Sequence, residues 1–119
     1  MSDHVKLPFG SYKFAIFDSK IQGKGLFASA NIEEGEVIGV ARIGNCRTPI
    51  GRFTNHSKTP NAYPRLNSQG GIDLVAKTCI MGSRGGLDGE EITVDYRQSR
   101  VTAEKLDREL SCLHLSVQQ

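Results

Sequence analysis

Turn-forming residues interrupt this 119-residue sequence every few positions, and their spacing limits the fold more than any other feature. Thirteen glycines and four prolines are scattered without a repeat, and the longest uninterrupted apolar run is VIGVA (37 to 41). Short strands fit between such turns, whereas a helical bundle needs longer uninterrupted segments. The length is enough for one modest core. The sequence therefore predicts one mainly β domain of many short strands.

Apolar and β-branched runs between the turns give the predicted strands, which are 12–19, 26–29, 37–43, 62–67, 72–80 and 91–96. The segments 62–67 and 72–80 flank SQGG, whose glycines can adopt positive φ, so we predict a β-hairpin there. The tail differs, because apolar residues recur at helical spacing over 103–117 and Thr102 is a candidate N-cap. We predict one amphipathic C-terminal helix over roughly 103–115.

Charge and composition exclude several classes of protein. A net charge of +2 without a basic run does not indicate direct nucleic-acid binding, and no apolar run is long enough for a membrane span. The start, MSDHVKLPFG, has no signal-peptide core, so we expect an intracellular protein. Cys46, Cys79 and Cys112 lack the spacing of a zinc site or a disulfide framework. We therefore expect no metal and three free, mostly buried thiols.

A glycine-rich segment, GKGLFA (23 to 28), matches the dinucleotide-binding fingerprint G-x-G-x-x-G/A literally. That fingerprint works only where a strand turns into a long helix whose N-terminus faces a pyrophosphate. Asn31 and Gly35 interrupt the chain too soon for such a helix, so we reject a Rossmann domain. The glycines still allow a sharp bend and the close approach of a ligand, although a plain β-turn explains them equally.

Two dense polar segments, RFTNHSKTPN (52 to 61) and GEEITVDY (89 to 96), are the remaining candidates for chemistry. Arg52, Asn55 and His56 would suit a ligand that carries a carboxylate, an ammonium and a heteroaromatic ring. The alternative is a structural loop, with Asp95 bonding backbone and Tyr96 filling the core. A catalytic triad is not indicated, because the chain neighbours His56 and Ser57 do not align as base and nucleophile without a dedicated turn. A glycosidase pair is not indicated either, because Glu90 and Glu91 on one strand would point to opposite faces.

Taken in chain order, the motifs K-x-x-G-x-G-L-F-A, E-x-G-E-V-I, R-F-x-N-H-S-x-x-P-N and G-E-E-I-T-x-D-Y resemble the SET-domain protein lysine methyltransferases. The resemblance covers about residues 12–97. It implies the SET-domain β-clip, with pseudoknot-like threading of the NHS segment and the last strand, followed by a C-terminal helix. The expected organisation of the single domain 1–119 is an N-terminal SET part 12–43, a very short insert 44–51, a C-terminal SET part 52–97 and a helix 98–119.

The same resemblance implies an S-adenosylmethionine-dependent enzyme that methylates a lysine side chain. The implied cofactor-binding residues are Gly23, Lys24, Gly25, Arg52, Asn55 and His56. In that assignment Arg52 pairs with the carboxylate of the methyl donor, Asn55 accepts from its amino group, and the main chain around His56 meets the adenine. Tyr96 is the implied catalytic residue, orienting the amine and holding the sulfonium through weak C–H···O contacts.

The sequence departs from most relatives in three places. The insert is very short, the zinc-binding post-SET cysteine cluster is absent, and no aromatic residue follows Tyr96. In these respects the chain resembles minimal SET cores of viral or bacterial type, placed in the cytoplasm or a host nucleus. The C-terminal helix, through His114 or Leu113, or the second copy of a homodimer would then close the lysine channel.

Three functions stay open at this point. The first is methyl transfer to a lysine-containing protein or peptide, histone-like or other. The second is a catalytically inactive SET or β-clip module that binds a peptide or a protein partner. The third is a methyltransferase that acts on another amine, such as a free amino acid. The retained Arg52, Asn55, His56 and Tyr96 favour catalysis, whereas the short insert and the missing lid favour the inactive module.

Overall fold

The structure is a computed structural model that describes residues 12–118, with side chains described as far as residue 111. Its strands are β1 Phe14–Asp18, β2 Lys24–Ala28, β3 Val37–Ile43, β4 Cys46–Arg47, β5 Asn55–His56, β6 Ala62–Leu66, β7 Gly71–Ala76 and β8 Glu91–Val94. The helices are α1 Pro49–Phe53 and α2 Tyr96–Gln118. The predicted mainly β architecture with a C-terminal helix is confirmed.

The strands form two four-stranded sheets with the orders β1-β2-β8-β5 and β4-β3-β7-β6. In the first sheet, β8 is antiparallel to β2 and parallel to β5, so the last strand lies between two strands that precede it. This interlocked position is the one that the expected threading requires. The core joins both sheets and contains Leu26, Ala28, Ile32, Ile38, Ile50, Ala62, Leu74, Ala76, Ile80, Ile92 and Val94.

The predicted hairpin is confirmed as β6 and β7, which pair in register from Ala62 opposite Ala76 to Leu66 opposite Ile72. The turn between them is stabilised by Asn67, whose Oδ1 accepts hydrogen bonds from the backbone nitrogens of Gln69 and Gly71. Gly70 has φ +77°, a conformation that glycine adopts without a steric penalty.

The segment between β3 and β5 folds into β4 and α1, and this helix places Arg52. Thr48 caps α1 by accepting a hydrogen bond from Gly51 N, and it also donates to Val40 O at 2.6 Å. A Cβ atom on Gly51 would lie 2.2 Å from Ala41 O, so the glycine lets α1 pack directly on β3. Arg52 therefore leaves the last turn of a helix that is held against the second sheet.

The C-terminal helix begins earlier than predicted. It starts at Tyr96, not at 98 or 103, and Thr102 lies inside it, donating to Gln98 O. The N-terminal cap comes from Asp95, whose Oδ1 accepts from Arg97 N at 2.9 Å. Residues 96–102 are mostly polar, which hides the helical period in the sequence. Leu106 is 1% exposed and anchors the helix on the second sheet.

The prediction of mostly buried thiols is wrong where the structure describes the side chains, because Cys46 and Cys79 are exposed. The side chains of Cys112, Leu113 and His114 lie outside the described residues. No helix within residues 12–118 is both long and apolar enough to cross a bilayer.

Candidate active site

Asn55 connects the glycine-rich loop to the strand that leads to Tyr96. Its side chain is 7% exposed, and its Nδ2 lies 3.1 Å from Gln22 O, 3.1 Å from Lys24 O and 2.8 Å from Glu91 Oε2. These acceptors fix the orientation of the amide. Within the described part of the chain no donor bonds to Oδ1. The oxygen is therefore the atom of Asn55 that can accept from a ligand.

Glu91 is a member of this cluster that the sequence reasoning missed. Its carboxylate accepts from Ser19 Oγ at 2.8 Å as well as from Asn55. A Cβ atom on Gly25 would lie 2.2 Å from Glu91 Oε2, so a larger residue there would require the carboxylate to move. The sequence signal was the Glu of E-I-T-x-D-Y, on the strand before the candidate catalytic tyrosine. Its use is structural, because it holds Asn55 and the loop together.

The side chain and the backbone of Lys24 make separate contacts in the glycine-rich loop. Its side chain is directed to Asp18, with Nζ 2.6 Å from Oδ1, while its carbonyl accepts from Asn55. The hydrogen bond from Lys24, together with its charge, lowers the pKa of Asp18. Gly23 has φ +49°, which turns the chain into β2.

His56 and Tyr96 contact each other through both backbone and ring. The backbone nitrogen of Tyr96 donates to His56 Nδ1 at 3.0 Å, and the ring centroids are 5.1 Å apart. A neutral imidazole that accepts at Nδ1 carries its proton on Nε2. The Tyr96 hydroxyl donates to Thr54 O at 3.3 Å, and the residue is 50% exposed. A half-exposed phenol with one long hydrogen bond can turn towards a ligand.

A cavity of about 650 Å³ opens beside Tyr96 and Arg52. One side is formed by a single face of α2, through Tyr96, Ser99, Arg100 and Ala103, whose spacing of three and four residues places them in line. The other sides come from the end of α1 with Thr54 after it, and from residues of β3, β4, β6, β7 and β8. The C-terminal helix therefore forms one complete side of this cavity.

The seven predicted site residues lie in one region of the structure. One part of this region is the cavity, and the other is formed by the contacts of Asn55 and His56. Tyr96 and Arg52 line the cavity, whereas Asn55 and His56 do not. Asn55 is bonded to the loop 22–25, and His56 is bonded to Tyr96. Thr54 connects the parts, because it lines the cavity, precedes Asn55 and accepts from Tyr96. The roles assigned to these residues stay predictions.

Asn61, the last residue of the N-H-S-x-x-P-N motif, fixes the position of β8. Its Nδ2 donates to Glu91 O at 2.9 Å, and its Oδ1 accepts from Thr93 N at 2.8 Å. The side chain thereby replaces one residue of a neighbouring strand. Since β8 ends just before Tyr96, this amide helps to set where the phenol lies.

No family model matches the chain, but solved structures do. One is a candidate histone methyltransferase of Plasmodium falciparum, with 21% identity and a TM-score of 0.57 over 72% of this chain and 94% of that one. Another is the apo ctPRC2 complex with a mutated Ezh2, with 20% identity and a TM-score of 0.55; the match covers 73% of this chain and 15% of that one. Together with the two four-stranded sheets and the C-terminal helix, these likenesses show that the chain has the SET-domain fold.

Proposed function

We propose that this protein is an S-adenosylmethionine-dependent protein lysine N-methyltransferase. The observation that carries the proposal is the convergence of the loop 22–25, Asn55, His56 and Tyr96, which come from three distant parts of the sequence. A fold alone does not establish an activity. The support comes from the hydrogen bonds that join Asn55 to the loop 22–25 and His56 to Tyr96.

The residues present fit the polar groups of S-adenosylmethionine, which would supply the reactive methyl group. Arg52 is exposed, and no carboxylate of residues 12–111 lies within salt-bridge distance of it, so its guanidinium would pair with the donor carboxylate. Asn55 Oδ1 would accept from the amino group. Gly23, the backbone at Lys24 and Gly25, and the main chain at His56 would complete the site.

Tyr96 would act by positioning, not as a general base, since a phenol of pKa about 10 is a poor base at neutral pH. Alignment of the reacting groups can lower a barrier by roughly 7–11 kcal/mol. The substrate lysine must also be neutral, although its pKa in water is about 10.4. Desolvation in the cavity, beside the positive charge of the donor, would lower the pKa of the amine.

Titration calorimetry of the full chain with S-adenosylmethionine tests the first half of this proposal. We expect binding, weakened about tenfold or more in Arg52→Gln because a charged hydrogen bond is lost. Arg108→Gln is the matched control, because Arg108 is exposed and lies outside the cavity. Absence of donor binding by the wild type would instead favour the inactive module.

Mass spectrometry of lysine peptides and of free amines incubated with protein and donor tests the second half. Addition of methyl groups to a peptide lysine side chain is the expected result. Methylation confined to free amino acids would show that the chain acts on another amine.

A further inference from the structure

The cavity beside Tyr96 is lined by charges of one sign. Four of its lining residues are arginines, namely Arg42, Arg47, Arg52 and Arg100. No aspartate or glutamate of the described chain is among the lining residues. A group that enters this cavity therefore meets a positive field that is concentrated by the low-dielectric surface around it.

Two of these arginines already have a partner or an assigned role. Arg42 pairs with Asp107 and donates to Gly44 O at 2.7 Å. Arg52 would hold the donor carboxylate. Arg47 on β4 and Arg100 on α2 are exposed, and neither has a carboxylate of residues 12–111 within salt-bridge distance. These two arginines line the cavity from different elements.

We propose that the acceptor of this enzyme is a lysine flanked by acidic residues, and that Arg47 and Arg100 select those residues. This inference rests on the proposed methyl transfer and names its substrate class. Guanidinium groups bind carboxylates through two parallel hydrogen bonds, and a basic neighbour of the lysine would be repelled by the same charges. A strongly basic peptide is therefore a poor substrate for this site.

An acidic peptide fits the cavity better than a nucleic acid does. Nucleic-acid binding relies on several phosphate contacts along an extended basic surface. Here the net charge is only +2, and the two available arginines lie at one cavity. The cavity also has apolar lining from Pro64, Ile72 and Leu74, which suits the aliphatic part of a lysine side chain.

The test compares kcat/KM for three peptides that share one central lysine and differ only in flanking glutamates, glutamines or lysines. We expect the glutamate peptide to exceed the glutamine peptide about threefold to tenfold, with the lysine peptide lowest, as for pairs at a partly exposed site. High NaCl should reduce the differences through screening. The double variant Arg47→Glu/Arg100→Glu should reverse the order. Arg108→Glu on the same helix, outside the cavity, should leave it unchanged.

Fluorescence anisotropy of the same labelled peptides separates this inference from the proposed activity. Equal kcat/KM values, or a preference for the lysine peptide, would overturn the inference while methyl transfer stands. If no peptide is methylated, the proposed function fails. In that case, selective binding of the glutamate peptide by the wild type but not by the double variant would still support an acidic peptide as the ligand of the cavity. Binding of an RNA oligonucleotide without any acidic peptide would overturn it.

Discussion

At the scale of single residues, the site depends on amides and a phenol whose hydrogen bonds come from distant parts of the sequence. The amide of Asn55 has three oxygen acceptors on one nitrogen and so can face in only one direction. This arrangement adds a structural role to the ligand-binding role predicted for the residue. Different substitutions of Asn55 can therefore test the structural role and the ligand-binding role separately.

Asn55→Asp should destabilise the fold more than Asn55→Ala does. The aspartate would place a second carboxylate against Glu91 and two carbonyl oxygens, whereas alanine only removes hydrogen bonds. We expect a loss of about 3–5 kcal/mol for Asp and about 1–3 kcal/mol for Ala, measured by urea unfolding. Gln69→Glu, at an exposed residue outside the cavity, is the control. Equal stability of Asn55→Asp and wild type would show that the hydrogen bonds of the Asn55 amide do not stabilise the fold.

Tyr96→Phe tests the phenol alone. The hydroxyl makes one long hydrogen bond to Thr54 O from a half-exposed side chain, so its removal should leave stability and donor affinity near wild type. If it orients the reacting amine, turnover should fall about tenfold or more, equivalent to roughly 1.4 kcal/mol of barrier. Single-turnover methyl transfer with saturating donor measures this directly. An unchanged rate would exclude the proposed role.

At the scale of elements, β8 and α2 are positioned by side-chain hydrogen bonds to backbone groups that a neighbouring strand or a preceding turn would otherwise satisfy. Asn61 takes the place of a strand residue beside β8, and Asp95 with His56 satisfies the first backbone nitrogens of α2. The helix start was mispredicted for this reason, since its signals come from Asp95 and from a histidine 40 residues away.

Asn61→Leu should destabilise the fold by about 2–4 kcal/mol, because it leaves Thr93 N and Glu91 O without their partner. Activity should fall in parallel even under conditions where the variant is folded, since β8 leads directly to Tyr96. Chemical denaturation and methyl transfer provide the two readouts. Gln69→Leu, at an exposed residue outside the cavity, should have little effect on either readout. A variant with normal stability would show that β8 does not depend on this amide.

At the scale of the whole molecule, the two sheets are joined by the shared core and by polar contacts at their margins. Lys13, just before β1, pairs with Glu36, just before β3, at 2.8 Å. The hydrogen bond from Lys13, followed by that from the backbone of Glu33, lowers the pKa of Glu36. The ion pair therefore links the start of one sheet to the start of the other.

Acid should weaken this link in a defined direction. A lowered pKa in the folded state stabilises the fold above the unfolded pKa and is lost as the pH falls through the folded value. The pair is partly exposed, so its contribution is about 0.5 kcal/mol. We expect Glu36→Gln to be less stable than wild type near pH 7, with the difference shrinking as the pH falls below the ordinary glutamate pKa of about 4.3 and through the lower folded value, by urea unfolding. A difference that persists in acid would assign the effect to packing.

The sequence by itself predicted the mainly β class and the hairpin, because turn spacing and alternation are local properties, whereas the candidate site residues came from the resemblance of its motifs to the SET-domain family and their roles stay predictions. Homodimer formation and the intracellular compartment stay predictions. The tertiary structure alone decided where α2 begins, that Glu91 and Asn61 hold the site together, and that four arginines line one cavity. These features depend on contacts between segments far apart in the chain, and no local pattern encodes which of those segments meet.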